Sequence, residues 1–415
     1  MKSPAFLCVV VFAGSALVLP ALANTALIVA AGLLLARPAQ AWQRCRGHPV
    51  WPVLGLALGY LLLHSLALGL SDDGLDVLLD LLKVLLFVPV GWALAGDPRR
   101  ARIVLGAAAI GLLIRLLTHA PPMQWLAAFS DPARRLDFGF AAIASGLYCA
   151  AGLLGLVLLL PRCVPSSGFG RAMALLGGLL AAALLTAGLL LSRSRGTWLA
   201  LLASAPLALS APSRQGRWVL AVFGAAALAV VLAGSGALTR RLADDAPAYA
   251  ALAQAIGAPD AAAADAAWQQ LPYNSVGLRL HVWRLAAAAW WQRPWFGHGA
   301  DATEKLLASA ADSPLGELAH LHNTYAELAL RFGLVGLALA VALVWALAAG
   351  VVRRLREEPA MADLARFLAG ALVLTAVWSV SDFRLFRLDF RLYAVLLGGV
   401  AFGLGLPRQE TPCAS

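Results

Sequence analysis

Long apolar runs separated by short polar breaks repeat along nearly the whole chain. The breaks carry proline, glycine or charge, as in DDG at 72–74 and PSRQGR at 212–217. Apolar runs of about 20 residues are long enough to cross a bilayer as helices. The pattern predicts an all-α polytopic membrane protein of about 12 transmembrane helices, at about 4–19, 21–36, 50–70, 76–95, 102–119, 138–160, 172–191, 197–210, 218–236, 324–350, 361–380 and 389–406.

One polar interval is much longer than the others and divides the chain. Residues 1–236 hold the first nine predicted spans, 237–320 form one large loop, and 321–415 hold the last three spans. The Ala-rich, acidic part of the loop at 242–270 predicts short exposed helices. Further on, Arg279 and Trp283 are four residues apart and share a helical face with Trp290. Because tryptophan favours the membrane interface, we predict an interfacial helix there, followed by a tight turn at 294–299.

Composition and charge support this architecture and give it an orientation. The chain is 61% hydrophobic and only 13% charged, with a net charge of +10 that comes almost entirely from 29 arginines. Basic residues concentrate in alternate short loops, which places both termini in the cytoplasm and the large loop outside. Nucleic acid is therefore not an expected partner. Seven arginines remain on the outer side as exceptions that need a reason: Arg134, Arg135, Arg193, Arg195, Arg384, Arg387 and Arg391.

Other patterns near the N-terminus and at the cysteines predict no processing and no disulfide framework. Lys2 and ALA at 21–23 are similar to a cleaved signal peptide, but we interpret this segment as the first span. The five cysteines show no paired spacing. No phosphate-binding loop, dinucleotide fingerprint or HExxH motif occurs. His298, His320 and His322 are loosely spaced and lack the carboxylate pattern typical of a metal site, so we expect no metal and no cofactor.

The stretch LHNTYAELALRFGLVG at 321–336 carries the strongest candidate chemistry. An imidazole titrates near neutrality and can take a proton from a hydroxyl, so His322 at the mouth of a span is a candidate general base. Asn323 suits a helix cap, which explains it without any catalytic role. Tyr325 follows on the same helical face as His322. Glu327 and Arg331 are spaced to neutralise each other.

Arginines on the outer side are candidates for binding an anion. Arg193 and Arg195 lie in a very short turn between two spans, where their charge is costly near hydrocarbon. A guanidinium offers a fork of donors that matches phosphate oxygens. With Arg279 and Arg284 on the same side, we favour a phosphate site over simple snorkelling. Arg384 and Arg387 best fit an amphipathic lead-in to the last span, with a secondary role in guiding an anionic lipid.

Three motifs together resemble the O-antigen ligase and polymerase superfamily of bacterial membrane glycosyltransferases. His322 and Asn323, followed by Gly333 and Gly336, resemble its histidine signature. SRGTWLA at 194–200 resembles its Arg-Gly-x-Trp segment, and GLRLHVW with RPWFGHG resembles the helix and turn before the signature. The resemblance covers residues 170–340 in its motifs and the whole chain in its topology. The Ala-rich half of the large loop matches nothing in the family pattern.

The resemblance implies a function and assigns roles to residues. The family's ligases transfer a glycan from undecaprenyl diphosphate to lipid A–core oligosaccharide at the periplasmic face of the inner membrane, without metal or ATP. Displacement of the diphosphate by a hydroxyl from the opposite face would invert the anomeric centre. By position, His322 matches the essential histidine, and Arg195 and Arg279 match the two arginines that contact the diphosphate. The partners implied are the lipid-linked donor, the lipid A–core acceptor and membrane lipids.

Two alternatives use the same donor or the same membrane. An O-antigen polymerase or a protein O-oligosaccharyltransferase would share the donor, although polymerases often have two sizeable outer loops and this chain has one. A flippase or transporter of lipid-linked glycans predicts charges at mid-membrane and symmetric halves. Here the charges gather at the outer rim and no internal repeat occurs.

Overall fold

The computed structural model describes residues 3–69, 71–131, 134–209 and 235–408. Throughout these ranges the chain is helical with connecting turns and has no β-strand. The α-helices are Pro4–Ser15, Pro20–Leu35, Pro38–Cys45, Val50–Leu68, Asp72–Lys83, Phe87–Leu94, Pro98–His119, Pro122–Ser130, Ala142–Cys163, Gly168–Ser192, Arg195–Leu209, Ser235–Ile256, Ala261–Gln269, Ser275–Trp290, Ala302–Ala308, Thr324–Glu357, Ala362–Trp378 and Leu388–Gly405.

The described residues contain eight helices long and apolar enough to cross a membrane, so the chain is a multi-pass membrane protein. One of the eight is Asp72–Leu94, in which Asp72–Lys83 and Phe87–Leu94 are joined by a 3-10 turn at Val84–Leu86. This number differs from the predicted twelve for identifiable reasons. Pro4–Ser15 and Arg195–Leu209 are apolar but short, and Pro20–Leu35 continues into Pro38–Cys45 through a bend of 93°. The predicted span at 218–236 lies almost wholly outside the described residues. Short helices are difficult to assign from hydropathy, because the hydropathy averaged over a window of sequence does not show where a helix ends.

The spans pack around two apolar clusters. Phe87–Leu94 lies against Leu388–Gly405, and Arg195–Leu209 lies against Ala362–Trp378. The second of these contacts is important for the site, because it brings the Arg195 turn next to the loop that leaves Ala362–Trp378. Trp378, the last residue before that loop, is fully buried and stacks on Phe390. Two segments far apart in sequence therefore share one rim of the bundle.

The helix Thr324–Glu357, here called the signature helix, is broken at Gly333. This glycine has φ 63° and ψ −172°, a conformation outside the helical region. The turn at 294–299, here called the docking turn, fills the break. The N–H groups of His298 and Gly299 donate to the carbonyls of Leu330 and Arg331, while Leu334 and Val335 donate to Pro294 and Trp295. The turn thus satisfies backbone groups that the break would otherwise leave unpaired.

The predicted large loop is mostly helical where it is described. Ser235–Ile256 and Ala261–Gln269 cover the Ala-rich part, and Ser275–Trp290, here called the loop helix, carries Arg279 and Trp283. The Trp283 indole donates to the carbonyl of Leu321 at 2.8 Å, so this tryptophan packs on the chain that precedes His322. The loop helix is therefore attached to the signature helix by protein contacts.

Candidate functional site

His322 stands immediately before the signature helix in a strained backbone conformation. Its φ of 52° is uncommon for a residue with a side chain and recurs at functional sites. Neighbouring contacts hold it there. The N–H of His322 donates to Nδ1 of His320 at 3.1 Å, and the N–H of Thr324 donates to the carbonyl of Ser379 at 2.8 Å. The side chain of His322 remains 26% exposed, so it can be reached from outside.

Asp382 faces this histidine from the loop that follows Ala362–Trp378. Its carboxylate is buried, and its Oδ1 lies 3.4 Å from Nδ1 of His322. The distance is long for a hydrogen bond, as is common in unliganded acid–base pairs. Thr324 fixes the same loop, because its hydroxyl donates to the carbonyl of Asp382 at 2.9 Å. With Asp382 at Nδ1, the Nε2 atom of His322 is the nitrogen left to act as a base.

His320 forms a group of three with His322 and Asp382. Its Nε2 lies 4.0 Å from the same Oδ1 of Asp382. The ring centroids of His320 and His322 are 4.2 Å apart, and the two rings are arranged edge to face. Burial is the main cause that lowers the pKa of His320 to about 4, and the charges of His322, Arg387 and Arg384 lower it further. Asp382 opposes them. His320 is therefore neutral at physiological pH.

Arg195 and Arg279 come together beside this group although they are far apart in sequence. Burial is the largest cause that lowers the pKa of Arg279, and the charge of Arg195 lowers it further, while Asp382 raises it. Arg195 pairs with the buried carboxylate of Asp245. Within the described part of the chain, the buried Nε of Arg279 has no hydrogen-bond partner. The two arginines thus form a cationic rim near Asp382, the carboxylate that faces His322.

A third arginine belongs to this rim. Arg135 is exposed, yet loss of hydration lowers its pKa, and the charges of Arg195, Arg279 and Arg193 lower it further. Mutual repulsion of this kind is costly unless an anion relieves it. The position of Arg135 therefore gives a reason for one of the outer arginines that the topology left unexplained.

A large apolar cavity lies between the spans. It has a volume of about 470 Å³ and is lined by five segments: Val50–Leu68, Asp72–Leu94, the signature helix, Ala362–Trp378 and Leu388–Gly405. Leu328 and Phe332 line its wall on the same helix that begins beside His322. A smaller cavity of about 190 Å³ lies beside His320, between Glu304, Arg384 and Arg387.

Comparison with known families decides the classification of this part of the chain. Residues 180–341 match the family model described as O-antigen ligase. This segment belongs to the O-antigen ligase family. No curated protein matches the chain. The O-antigen ligase match includes Arg195, Arg279 and His322, whereas Asp382 lies beyond it.

Several secondary candidates of this O-antigen ligase segment have structural partners. Asn323 caps the signature helix, because its Oδ1 accepts from the N–H groups of Tyr325 and Ala326 at 2.9 and 3.1 Å. The Tyr325 hydroxyl donates to the carbonyl of Ala376 at 2.8 Å. Arg193 donates to the backbone carbonyls of Ala128, Asp131 and Arg134. These contacts hold the site's surroundings together.

The remaining arginine candidates divide between the site and the surface. Arg384 pairs with Asp389 at 3.0 Å, and Arg387 is exposed at the mouth of the smaller cavity. Arg284 pairs with Asp265 on the exposed side of the loop helix and lies over the Trp268 ring. Arg384 and Arg387 are therefore beside His320, while Arg284 serves the contact between two loop helices.

The sequence pattern did not indicate Asp382, which lies 60 residues after His322 in the chain. Among the described residues, His320, His322 and Asp382 form a group whose ligand atoms all lie within 4.8 Å of one another. Asp382 lies in SDFRLFRLDF, where the arginines and phenylalanines were the more conspicuous signal. The one available clue was an acidic residue at a predicted outer span edge, where charge is rare without a role.

Proposed function

We propose that this chain is an O-antigen ligase, which transfers a glycan from undecaprenyl diphosphate to lipid A–core oligosaccharide at the periplasmic face of the inner membrane. The observation that carries the proposal is the contact between His322 and the buried Asp382 next to the Arg195 and Arg279 rim. A base and a cluster of cations are the two elements that such a transfer needs when the leaving group is a diphosphate.

In this mechanism His322 activates the acceptor. Nε2 of His322 accepts the proton of the acceptor hydroxyl while its oxygen attacks the anomeric carbon of the donor sugar. Asp382 keeps the proton of the neutral ring on Nδ1 and stabilises the imidazolium that forms. The bond between the anomeric carbon and the diphosphate breaks, and its electron pair leaves with the phosphate oxygen. Attack from the opposite face inverts the anomeric centre.

Arg195 and Arg279 act on the leaving group. Their guanidinium groups can hold the diphosphate in two-point contacts and stabilise the charge that develops as it departs. The Nε of Arg279 is buried and has no hydrogen-bond partner among the described residues, so a shift of this side chain would let it donate to a phosphate oxygen. Arg135 adds a third charge to the same rim. These arginines would do the work that a divalent cation does in other glycosyltransferases.

The apolar cavity supports a polyprenyl donor. Its walls are almost entirely leucine, alanine, valine and phenylalanine side chains of five spans. A lipid tail in this cavity would bring its diphosphate to the outer rim of the bundle, where the arginines lie. A soluble nucleotide-sugar donor has no lipid tail that could occupy such a cavity.

The test is the lipopolysaccharide of a deletion strain that is complemented with wild type or His322→Ala. A ligase mutant is expected to lose long chains while undecaprenyl-linked polymer accumulates, and His322→Ala should reproduce that pattern at normal expression. A band with a single repeat unit would instead support the polymerase alternative. Near-normal long-chain lipopolysaccharide in the His322→Ala strain would refute the proposed base.

A further inference from the structure

His320, His322 and Asp382 have the ligand types and spacing of a transition-metal site. Their three candidate ligand atoms lie within 4.8 Å of one another, and two of them are imidazole nitrogens. Imidazole with one carboxylate suits Zn²⁺ and similar ions, whereas Mg²⁺ prefers oxygen ligands and water. Two imidazoles and one carboxylate also leave one position of a tetrahedral ion open.

The distances agree with such a site. Ligands at about 2.0–2.2 Å from a tetrahedral Zn²⁺ are separated from one another by roughly 3.3–3.5 Å. Nδ1 of His322 is 3.4 Å from Oδ1 of Asp382, which already matches. Nε2 of His320 is 4.0 Å from the same oxygen, so a small rotation of its ring completes the set.

We propose that this group binds Zn²⁺ or a similar transition-metal ion reversibly, and that the bound ion inhibits transfer. The proposal rests on the proposed function, because His322 is both a ligand here and the base there. Metal on Nδ1 displaces the proton that faces Asp382. The remaining proton of the neutral ring then sits on Nε2, which loses the lone pair that accepts the acceptor's proton.

Two features of the site limit its affinity for the metal ion and make the inhibition reversible. Nδ1 of His320 accepts the N–H of His322 at 3.1 Å. Metal on Nε2 of His320 puts that ring's proton on Nδ1, so this hydrogen bond is lost. The neighbouring charges of Arg279, Arg384 and Arg387 also oppose a cation. Reversible inhibition is therefore expected, and a permanently held ion is not.

The kinetic experiment titrates Zn²⁺ into purified wild type, His320→Gln and His119→Gln in a ligation assay, each compared with its own metal-free rate. His119 is an exposed histidine outside the group and serves as the matched control. Wild type and His119→Gln should be inhibited alike and recover with EDTA, while His320→Gln should need at least about ten-fold more Zn²⁺. Equal inhibition of His320→Gln, or equal inhibition of wild type by Mg²⁺, would overturn the proposal.

A binding experiment separates this proposal from the proposed function. Co²⁺ gives visible absorption when bound by nitrogen and oxygen ligands in a tetrahedral site, and this signal does not depend on transferase activity. Wild type should show saturable absorption that Zn²⁺ displaces, and both His320→Gln and Asp382→Asn should lose it. If no variant transfers glycan, the proposed function fails and the absorption alone judges the site. No displaceable absorption in wild type would reject the site.

Discussion

Replacement of Gly333 by alanine tests how the docking turn and the signature helix are joined. A Cβ at this position would lie 2.2 Å from the carbonyl oxygen of Trp295, 2.3 Å from its carbonyl carbon and 2.4 Å from the nitrogen of Phe296. These are backbone atoms of the docking turn, so no side-chain rotation can relieve the overlap. The backbone angles at Gly333 also belong to a region that is essentially restricted to glycine.

The cost follows from these two features. The strained backbone of an alanine at these angles costs about 1–3 kcal/mol. Retreat of the docking turn would break four backbone hydrogen bonds, each worth about 0.5–1.5 kcal/mol. Together these amount to roughly 3–9 kcal/mol, which is comparable with the whole stability of an ordinary domain. We expect Gly333→Ala to detach the docking turn and abolish transfer.

The assay compares Gly333→Ala with Gly59→Ala in detergent. A Cβ at Gly59 meets nothing within 4 Å, so the same substitution should be neutral or slightly stabilising in the Val50–Leu68 helix. Gly333→Ala should unfold at a clearly lower temperature and be cleaved by protease near residues 294–299. Melting and ligation equal to those of Gly59→Ala would refute the reasoning.

Three further outcomes are expected from the site. Arg195→Lys and Arg279→Lys should each retain charge but lose the fork of donors, so ligation by purified protein should fall well below wild type even at saturating acceptor. Asp382→Asn should lower the turnover rate by about 10²–10⁴, the range of general-base catalysis, with donor binding retained in a filter assay. Because the folded-state pKa of His320 is lowered to about 4, its contribution to stability is complete above pH 6.5 and is lost as the pH falls towards 4. That loss is about 3 kcal/mol and should be absent from the pH-dependent melting of His320→Gln.

Local signals in the sequence were sufficient to predict an all-helical protein with many membrane-spanning helices, although not the number of spans. The roles of Arg195, Arg279 and His322 stay predictions. Apolar runs and polar breaks are properties of neighbouring residues, and the motifs around Arg195, Arg279 and His322 are short. The predicted pairing of Glu327 with Arg331 is confirmed at 3.0 Å, because a spacing of four residues brings side chains together on any helix.

Contacts between distant segments could not be read from the sequence in the same way. Asp382 meets His322 because the loop after Ala362–Trp378 contacts the start of the signature helix, where Thr324 donates to the carbonyls of Ser379 and Asp382. Hydropathy also treated residues 324–350 as one helix, although Gly333 breaks it. The break depends on the docking turn, which supplies hydrogen-bond partners for the backbone groups that the break exposes. The local sequence around Gly333 does not indicate that such a partner exists.

Glu327 shows why the base can be held in a strained conformation. It is fully buried, and one carboxylate oxygen accepts the N–H of Leu321 at 2.8 Å while the other meets Thr303 and Arg331. Arg331 in turn pairs with Glu304 at 2.8 Å. Loss of one partner from such a buried pair costs about 3–5 kcal/mol, because the other charge is left without compensation. The backbone just before His322 is thus tied to a network that is costly to break. That tie offsets the strain at φ 52° and keeps the imidazole facing Asp382.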